Sequence, residues 1–415
     1  MTGIYLLGIH LYYFVVLIAS LFNRKAKLWI RGRKKLLKSI ESRVSRESKT
    51  AWFHCASLGE FEQGRPLIEA FKEKYRDYKI LLTFYSPSGF EIRKNYQHAD
   101  YVFYLPLDTP YNAKKFLNLV KPDIIFFIKY EFWYFFLREI FMRKIPLYLI
   151  SGIFRKEQRF FKPFNLQYRK MLRFFSHFFV QNKQSENLLQ SIDINNVTVT
   201  GDTRFDRVSA IAKQSKALPL IEKFKNNSGV FIAGSTWKPD EEIIFNYYNQ
   251  TTQKFKLIVA PHEVNAENIE RILKLFDSHK KVFKYSEANI NNIEEADVLI
   301  VDCIGLLSSL YRYGDIAYIG GGFGKGIHNV LEAATYGLPV IFGPNYEKFQ
   351  EAVDLVQEGG AIAIQNYSDF EHTIKRLMSD KNLIREKGEI ASTFVKQKTG
   401  ATENILLSIE PELKK

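Results

Sequence analysis

Short apolar runs recur along this chain, separated by longer amphipathic stretches, and that alternation predicts strands separated by helices. The runs at 50–55, 79–85, 101–105, 122–128, 146–150, 178–180 and 197–200 form one set. Those at 230–234, 256–260, 281–284, 298–301, 315–319 and 339–342 form another. Strands and helices at this spacing indicate an α/β protein with mostly parallel, doubly wound sheets. A polar, lysine-rich stretch at 211–229 parts the two sets and is expected to be a linker. The expected organisation is a membrane anchor with a basic flank at 1–47, a Rossmann-like domain at 48–210, the linker, and a second Rossmann-like domain at 230–415. Its final helix, at about 390–409, is expected to cross back to the first domain. Two similar halves are expected to face a central cleft, with ligands at the carboxyl ends of the strands.

The amino terminus bears on location. From Gly3 to Phe22 the chain is apolar apart from interruptions such as His10, about the length that crosses a hydrocarbon core. Arg24, Lys25, Lys27, Arg31, Arg33, Lys34, Lys35 and Lys38 follow, and a basic flank of that density stays in the cytoplasm. A cleaved signal peptide has its basic residues before the apolar run and small residues after it, the reverse of this order. The expectation is an uncleaved single-pass anchor with cytoplasmic catalytic domains. The alternative is a helix lying in the membrane interface, with Tyr5, Tyr12 and Tyr13 at the headgroups.

At 415 residues the chain suits two domains of ordinary size, and 46% hydrophobic residues exclude a disordered protein. The balance of 59 basic to 45 acidic residues leaves a charge of +14, which favours an anionic partner: nucleic acid, an acidic membrane surface or a phosphorylated substrate. Cys55 and Cys303 both lie within apolar runs and are expected to be buried thiols. The histidines are scattered without the spacing of a zinc centre, so no metal is expected.

Candidate chemistry concentrates in four places. The stretch from Gly320 to Ala334 joins a glycine loop to a helix expected to carry His328, Asn329 and Glu332. Gly321, Gly322 and Gly326 let the backbone approach a ligand, the helix start favours an anion, and Glu332 is placed to accept from the hydroxyls of a ribose. The alternative is a glycine turn that packs a helix tightly. It is neither the dinucleotide fingerprint nor a P-loop. Glu60 opens a helix just after Ser57 and Gly59; partial burial would raise its pKa toward that of a useful general base, while the alternative is a carboxylate that complements the helix dipole. Glu131 follows a buried strand among aromatics, able to orient an acceptor or to stabilise its loop. Arg155, Lys156, Arg159 and Lys162, continued by Arg169, Lys170 and Arg173, are mixed with Phe160 and Phe161. A solvated helix face explains such a run. A phosphorylated lipid would also suit it, with cations on the phosphates and the two rings in the acyl boundary.

Taken in order, Ser57 to Glu60, Glu131 to Trp133, Thr200 to Asp206, Gly234 to Thr236, and Gly320 through His328 and Asn329 to Glu332 resemble the 3-deoxy-D-manno-octulosonic acid (Kdo) transferases of lipopolysaccharide synthesis. The resemblance spans nearly the whole chain. It implies a GT-B architecture and an inverting transfer of Kdo from CMP-Kdo to a lipid A precursor at the inner membrane, with Glu60 as general base. It also implies that CMP is held by Gly234, Ser235, Thr236, Pro261, His262, Gly321, Gly322, Gly326, His328, Asn329 and Glu332. Ser57, Gly59, Glu131, Arg155, Lys156, Arg159 and Lys162 are expected on the acceptor side. No metal, cofactor or nucleic acid is implied. Two departures stand out: Pro261-His262-Glu263 where the family has Pro-Arg-His, and Lys129 at the first position of the family's Glu-x-Glu-x-Trp. The alternative within the same fold is another membrane-associated glycosyltransferase, or an epimerase, using a uridine nucleotide sugar. A membrane-tethered binding protein without catalysis is the alternative from another class.

Overall fold

The computed structural model describes residues 2–45, 47–162 and 165–414. The chain divides into two compact units, one of residues 1–207 with 399–415 and one of residues 208–398. The first is built on seven strands: β1 Thr50–Cys55, β2 Lys79–Phe84, β3 Tyr101–Tyr104, β4 Ile124–Ile128, β5 Leu147–Gly152, β6 His177–Val180 and β7 Val197–Val199. They lie in the order β3-β2-β1-β4-β5-β6-β7, every neighbour parallel. A parallel sheet covered on both faces needs continuous apolar strands rather than alternating ones, and β1, β4 and β5 are buried along their whole length. Successive side chains still go to opposite faces: Trp52 packs with Phe116, Phe127 and Phe136 on one side, Phe53 with Phe71 and Phe126 on the other.

The second unit repeats the plan with β8 Val230–Thr236, β9 Lys256–Pro261, β10 Val282–Lys284, β11 Val298–Ile300, β12 Ile316–Ile319, β13 Val340–Phe342 and β14 Ala361–Ala363. Their order is β10-β11-β9-β8-β12-β13-β14, again all parallel. The thirteen expected strands all occur, with ends within two residues of the apolar runs. The strand β14 escapes the pattern because only four apolar residues, Ala361 to Ile364, follow Gly359 and Gly360 before the chain turns polar again. The stretch 211–229 is largely helical, holding the end of helix Thr203–Gln214 and the helix Pro219–Lys225. Cys55 is buried as expected; Cys303 is exposed, because its apolar run ends with β11 and the residue lies on the following loop.

The amino-terminal helix Thr2–Ala19 is followed by helices Arg24–Arg33 and Leu36–Arg43. Among the described residues no helix is long and apolar enough to cross a membrane, so the expected transmembrane span finds no support. Tyr5 donates its hydroxyl to Asp108 at 2.6 Å, and Tyr12 lies against Trp29 and Tyr85, so one side of the helix is seated on protein. Ile4, Leu7, Leu11, Phe14, Val15 and Ile18 remain exposed. Arg33 fastens the next helix, stacking on Trp29 at 3.9 Å and donating to the Tyr85 carbonyl at 2.8 Å.

The last helix, Ala401–Leu413, buries Ile405, Leu406 and Ile409 in the same cluster as Phe53 and Phe126. Its opening N–H groups would be orphans, and Asp206 receives them: Gly400 N at 2.6 Å, Thr402 N at 2.7 Å and the Thr402 hydroxyl at 2.7 Å. Asp206→Ala is expected to cost about 1–2 kcal/mol, the usual value of a lost cap. Urea unfolding measures that loss, and amide exchange is expected to quicken first across residues 401–413.

Candidate active site

A doubly wound sheet opens a crevice where strand order reverses, between the two strands that leave in opposite directions. In the first unit that place lies between β1 and β4, in the second between β8 and β12. Most of the candidate residues gather at the carboxyl ends of those strands, with Pro261 and His262 at the end of β9 and the basic run after β5.

After β1 the chain passes through Ala56 and Ser57 into helix Leu58–Lys74, with Ser57 in the capping position. Glu60 stands in the first turn, and its carboxylate accepts the N–H of Ala56. The capping alternative is therefore realised, and the chemical one stands beside it. Burial, and after it the like charge of Glu131, push the Glu60 carboxyl up to about 8, against Lys129 and the N–H groups of Ala56 and Ser57. A carboxylate with that proton affinity is a base matched to neutral pH. Lys129, the departure seen in the sequence, thus lies close enough to Glu60 to offset part of the push, and its φ of 68° turns the chain back toward Glu131. Gly59 beside it is exposed, and a Cβ there would meet nothing within 4 Å.

Glu131 is only 5% exposed. It lies 2.9 Å from His54 Nε2 and accepts from Trp133 Nε1, while His54 Nδ1 reaches Thr83 Oγ1 at 2.9 Å. A buried carboxylate needs such partners. Of its two expected roles, Glu131 visibly fulfils the second, holding its loop. The motif from Thr200 to Asp206 holds the Glu60 helix from behind: Asp202 accepts from Gln63 Nε2 at 3.3 Å, and Thr203 donates to the Gln63 carbonyl. Of the basic run, Arg155 approaches Tyr130, whose hydroxyl feels both Arg155 and Glu60. Lys156, Arg159 and Lys162 are exposed, with Arg159 bonded to Tyr168. Phe160 and Phe161 are not free for an acyl boundary. Phe160 is buried against Phe132 and Phe154, and Phe161 packs on the same cluster, since aromatics following β5 fold onto the core.

In the second unit the expected helix is shorter than its sequence implied. It spans Leu331–Ala334, so Glu332 lies on it while His328 and Asn329 precede it in the loop. Gly321, at φ 94°, folds the loop back on itself, accepting from the N–H groups of Gly324 and Gly326. A Cβ on Gly322 would stand 2.5 Å from the backbone N of Gly343, so that glycine is required by backbone packing, as in the packing alternative. The loop still gathers the expected polar groups. Asn329 Nδ2 donates to Glu332 at 3.1 Å, Glu332 also accepts from Ser308 at 2.6 Å, and Gly234, Ser235 and Thr236 end β8 beside it, Ser235 with a φ of 54°. His262, after Pro261, stacks on His328.

Two residues of the site were missed from sequence. His54 is a histidine inside an otherwise apolar strand, and its polarity there was the available signal. Trp237 follows Thr236 directly and stacks on His262 at 4.5 Å between ring centres.

Residues 30–207 match the family model described as 3-deoxy-D-manno-octulosonic-acid transferase (kdotransferase). The chain is 28% identical to the 3-deoxy-D-manno-octulosonic acid transferase of Aquifex aeolicus over 340 residues, covering 80% of this chain and 87% of that protein. Identity to the transferase of Haemophilus influenzae is 25%, covering 88% and 87%. Over most of its length the chain is similar to Kdo transferases, and its first unit matches their family model. Proteins of very different chemistry share its fold: the UDP-GlcNAc 2-epimerase of Neisseria meningitidis bound to UDP-GlcNAc matches with a TM-score of 0.61 at 16% identity, covering 87% of this chain and all of that one. A putative UDP-N-acetylglucosamine 2-epimerase from Listeria monocytogenes matches with a TM-score of 0.60 at 12% identity, covering 88% and 97%. At such identities the likeness concerns fold alone, two Rossmann-like domains of the GT-B kind.

Because the charge of Glu131 raises the Glu60 pKa, Glu131→Gln is expected to lower it. With Glu60 as the base, the acid limb of the kcat/KM profile, expected near pH 8, then moves to lower pH by about half a unit or more. Rates measured from pH 5.5 to 9 check this.

Proposed function

We propose that this glycosyltransferase moves Kdo from CMP-Kdo to a hydroxyl of a phosphorylated lipid A precursor, with inversion, and that Glu60 is the general base. Glu60 takes the proton of the acceptor hydroxyl as its oxygen bonds to the anomeric carbon; the bond from that carbon to the phosphate oxygen breaks, and CMP leaves. The observation that carries the reading is Glu60 itself: a half-buried carboxylate at a sheet's switch point, with its pKa raised to about 8 and open space over Gly59. Similarity to the Kdo transferases supports the sugar, and the loops after β8, β9 and β12 support a nucleotide donor. Asn329 and Glu332 are placed for ribose hydroxyls and the exposed Arg155 and Lys156 for acceptor phosphates.

The same proposal places the protein on an acidic membrane surface, at the cytoplasmic face of the inner membrane. The helix Thr2–Ala19 then lies in the interface, its exposed Leu7, Leu11, Phe14 and Ile18 toward the acyl chains and the basic residues of Arg24–Arg33 toward the headgroups. This follows the interfacial alternative rather than the span.

Mass spectrometry of a phosphorylated lipid A precursor, incubated with the purified chain and CMP-Kdo generated in situ, tests the transfer. A product heavier by one or more Kdo units is expected, with the rate in Glu60→Ala lower by about 10²-fold or more. An unchanged acceptor with folded protein and intact donor overturns the reading and points to uridine-linked donors. For the membrane, co-sedimentation is expected with vesicles containing acidic phospholipid, weakening with salt, and Leu11→Asp with Phe14→Asp is expected to abolish most of it.

A further inference from the structure

The donor loops of the second unit gather polar groups but little fixed positive charge. The four-residue helix Leu331–Ala334 brings a small dipole, and Arg271 is taken by Glu241, which also accepts from Thr236. At the carboxyl ends of β9, β8 and β12, three adjacent strands, stand three rings instead. His262 lies 4.5 Å from Trp237 and 4.5 Å from His328 between ring centres, with interplanar angles of 24° and 22°. Trp237 Nε1 donates to His328 Nε2 at 3.0 Å. An indole can only donate, so His328 accepts there and its remaining proton sits on Nδ1. Trp237 and His262 are exposed and His328 is half-buried, so a ligand can reach the stack.

Neither imidazole meets a carboxylate among the described residues. Asp240 is engaged by the N–H groups of Trp237 and Gly321 and by the Tyr318 hydroxyl. Glu241 holds Arg271, and Glu332 accepts from Ser308 and Asn329. Glu263 and Lys325, close in sequence, make no described bond to either ring. With no anion beside it, burial and the neighbouring His262 hold the His328 pKa down at about 4. A bound anion reverses that electrostatic cost.

We propose that the donor's phosphate binds against the Trp237–His262–His328 stack and that its arrival draws one proton from solvent onto the imidazole pair. The proposal rests on the nucleotide-donor reading of the same loops. No bond of the ligand breaks in this step; the proton enters from buffer on binding and returns on release. Because the bound anion raises the proton affinity of the pair, donor binding is tightest at lower pH and weakens as pH rises through the bound pair's pKa. Glu60 requires the opposite, so the two groups act on kcat/KM in opposite directions as pH rises.

Isothermal titration of the full chain with the methyl ester of CMP, a phosphodiester that exchanges no proton near neutrality, tests this in two buffers of different ionisation enthalpy at pH 6, 7 and 8. Expected are uptake approaching one proton per ligand and affinity falling by up to about tenfold per pH unit. His262→Arg supplies a permanent cation, so it is expected to keep binding, lose the uptake and flatten the pH dependence. Wild-type binding without proton uptake at any of the three pH values, or uptake unchanged in His262→Arg, overturns the proposal and leaves the donor reading intact. Failure of the folded wild type to bind the cytidine ester, with binding of the uridine ester in the same buffer, overturns the donor reading and this proposal with it.

Discussion

Parallel pairing of every strand is the constraint on which the rest of this molecule depends. Parallel neighbours cannot be joined by a tight turn, so each strand is followed by a crossover, and each turn after a strand emerges at the same edge of its sheet. Where strand order reverses, two of those turns diverge and leave a hollow floored by backbone. The first unit fills that position with the Glu60 turn after β1 and the Glu131 turn after β4. The second fills it with Ser235 to Trp237 after β8 and the glycine loop after β12. Residues 71 positions apart in the first unit, Glu60 and Glu131, become electrostatic neighbours only through the β1–β4 pairing.

Within that frame the first unit is arranged to hold a carboxylate at high proton affinity without leaving it unsupported. His54 and Trp133 secure Glu131, whose charge then acts on Glu60. Trp133 stacks on Tyr85 at 4.4 Å, Tyr85 meets Trp29, and both meet Tyr12 of the first helix. A continuous file of aromatic rings therefore runs from the amino-terminal helix to the Glu131 carboxylate. The helix that carries exposed apolar residues is part of the same packed body as the candidate base.

The second unit solves a different electrostatic problem. Its glycines serve packing as much as ligand approach, since Gly322 lies against Gly343. Its helix is too short for the anion-binding role first expected of it. Stacked rings occupy the strand ends instead, and the proposed cation, formed only on ligand binding, would avoid the cost of a fixed charge in a partly buried site.

The sequence by itself determined the strands and their parallel arrangement, because apolar runs buried on both faces have few other arrangements open to them. It also marked Glu60 and the loop from Gly320 to Glu332, whose residue types cluster within a few positions and so leave a local signal. What it could not determine was set by contacts between distant segments. His54 was missed because its partner Glu131 lies 77 residues away. Phe160 looked exposed because cations flank it, yet it packs on Phe132. The first helix looked like a span because hydropathy counts apolar residues without seeing that Tyr5 bonds Asp108, 103 residues on. The stack of Trp237, His262 and His328 joins three strand ends that only the sheet order brings together. Local periodicity records which face of an element is buried. The partner it is buried against is decided by tertiary packing.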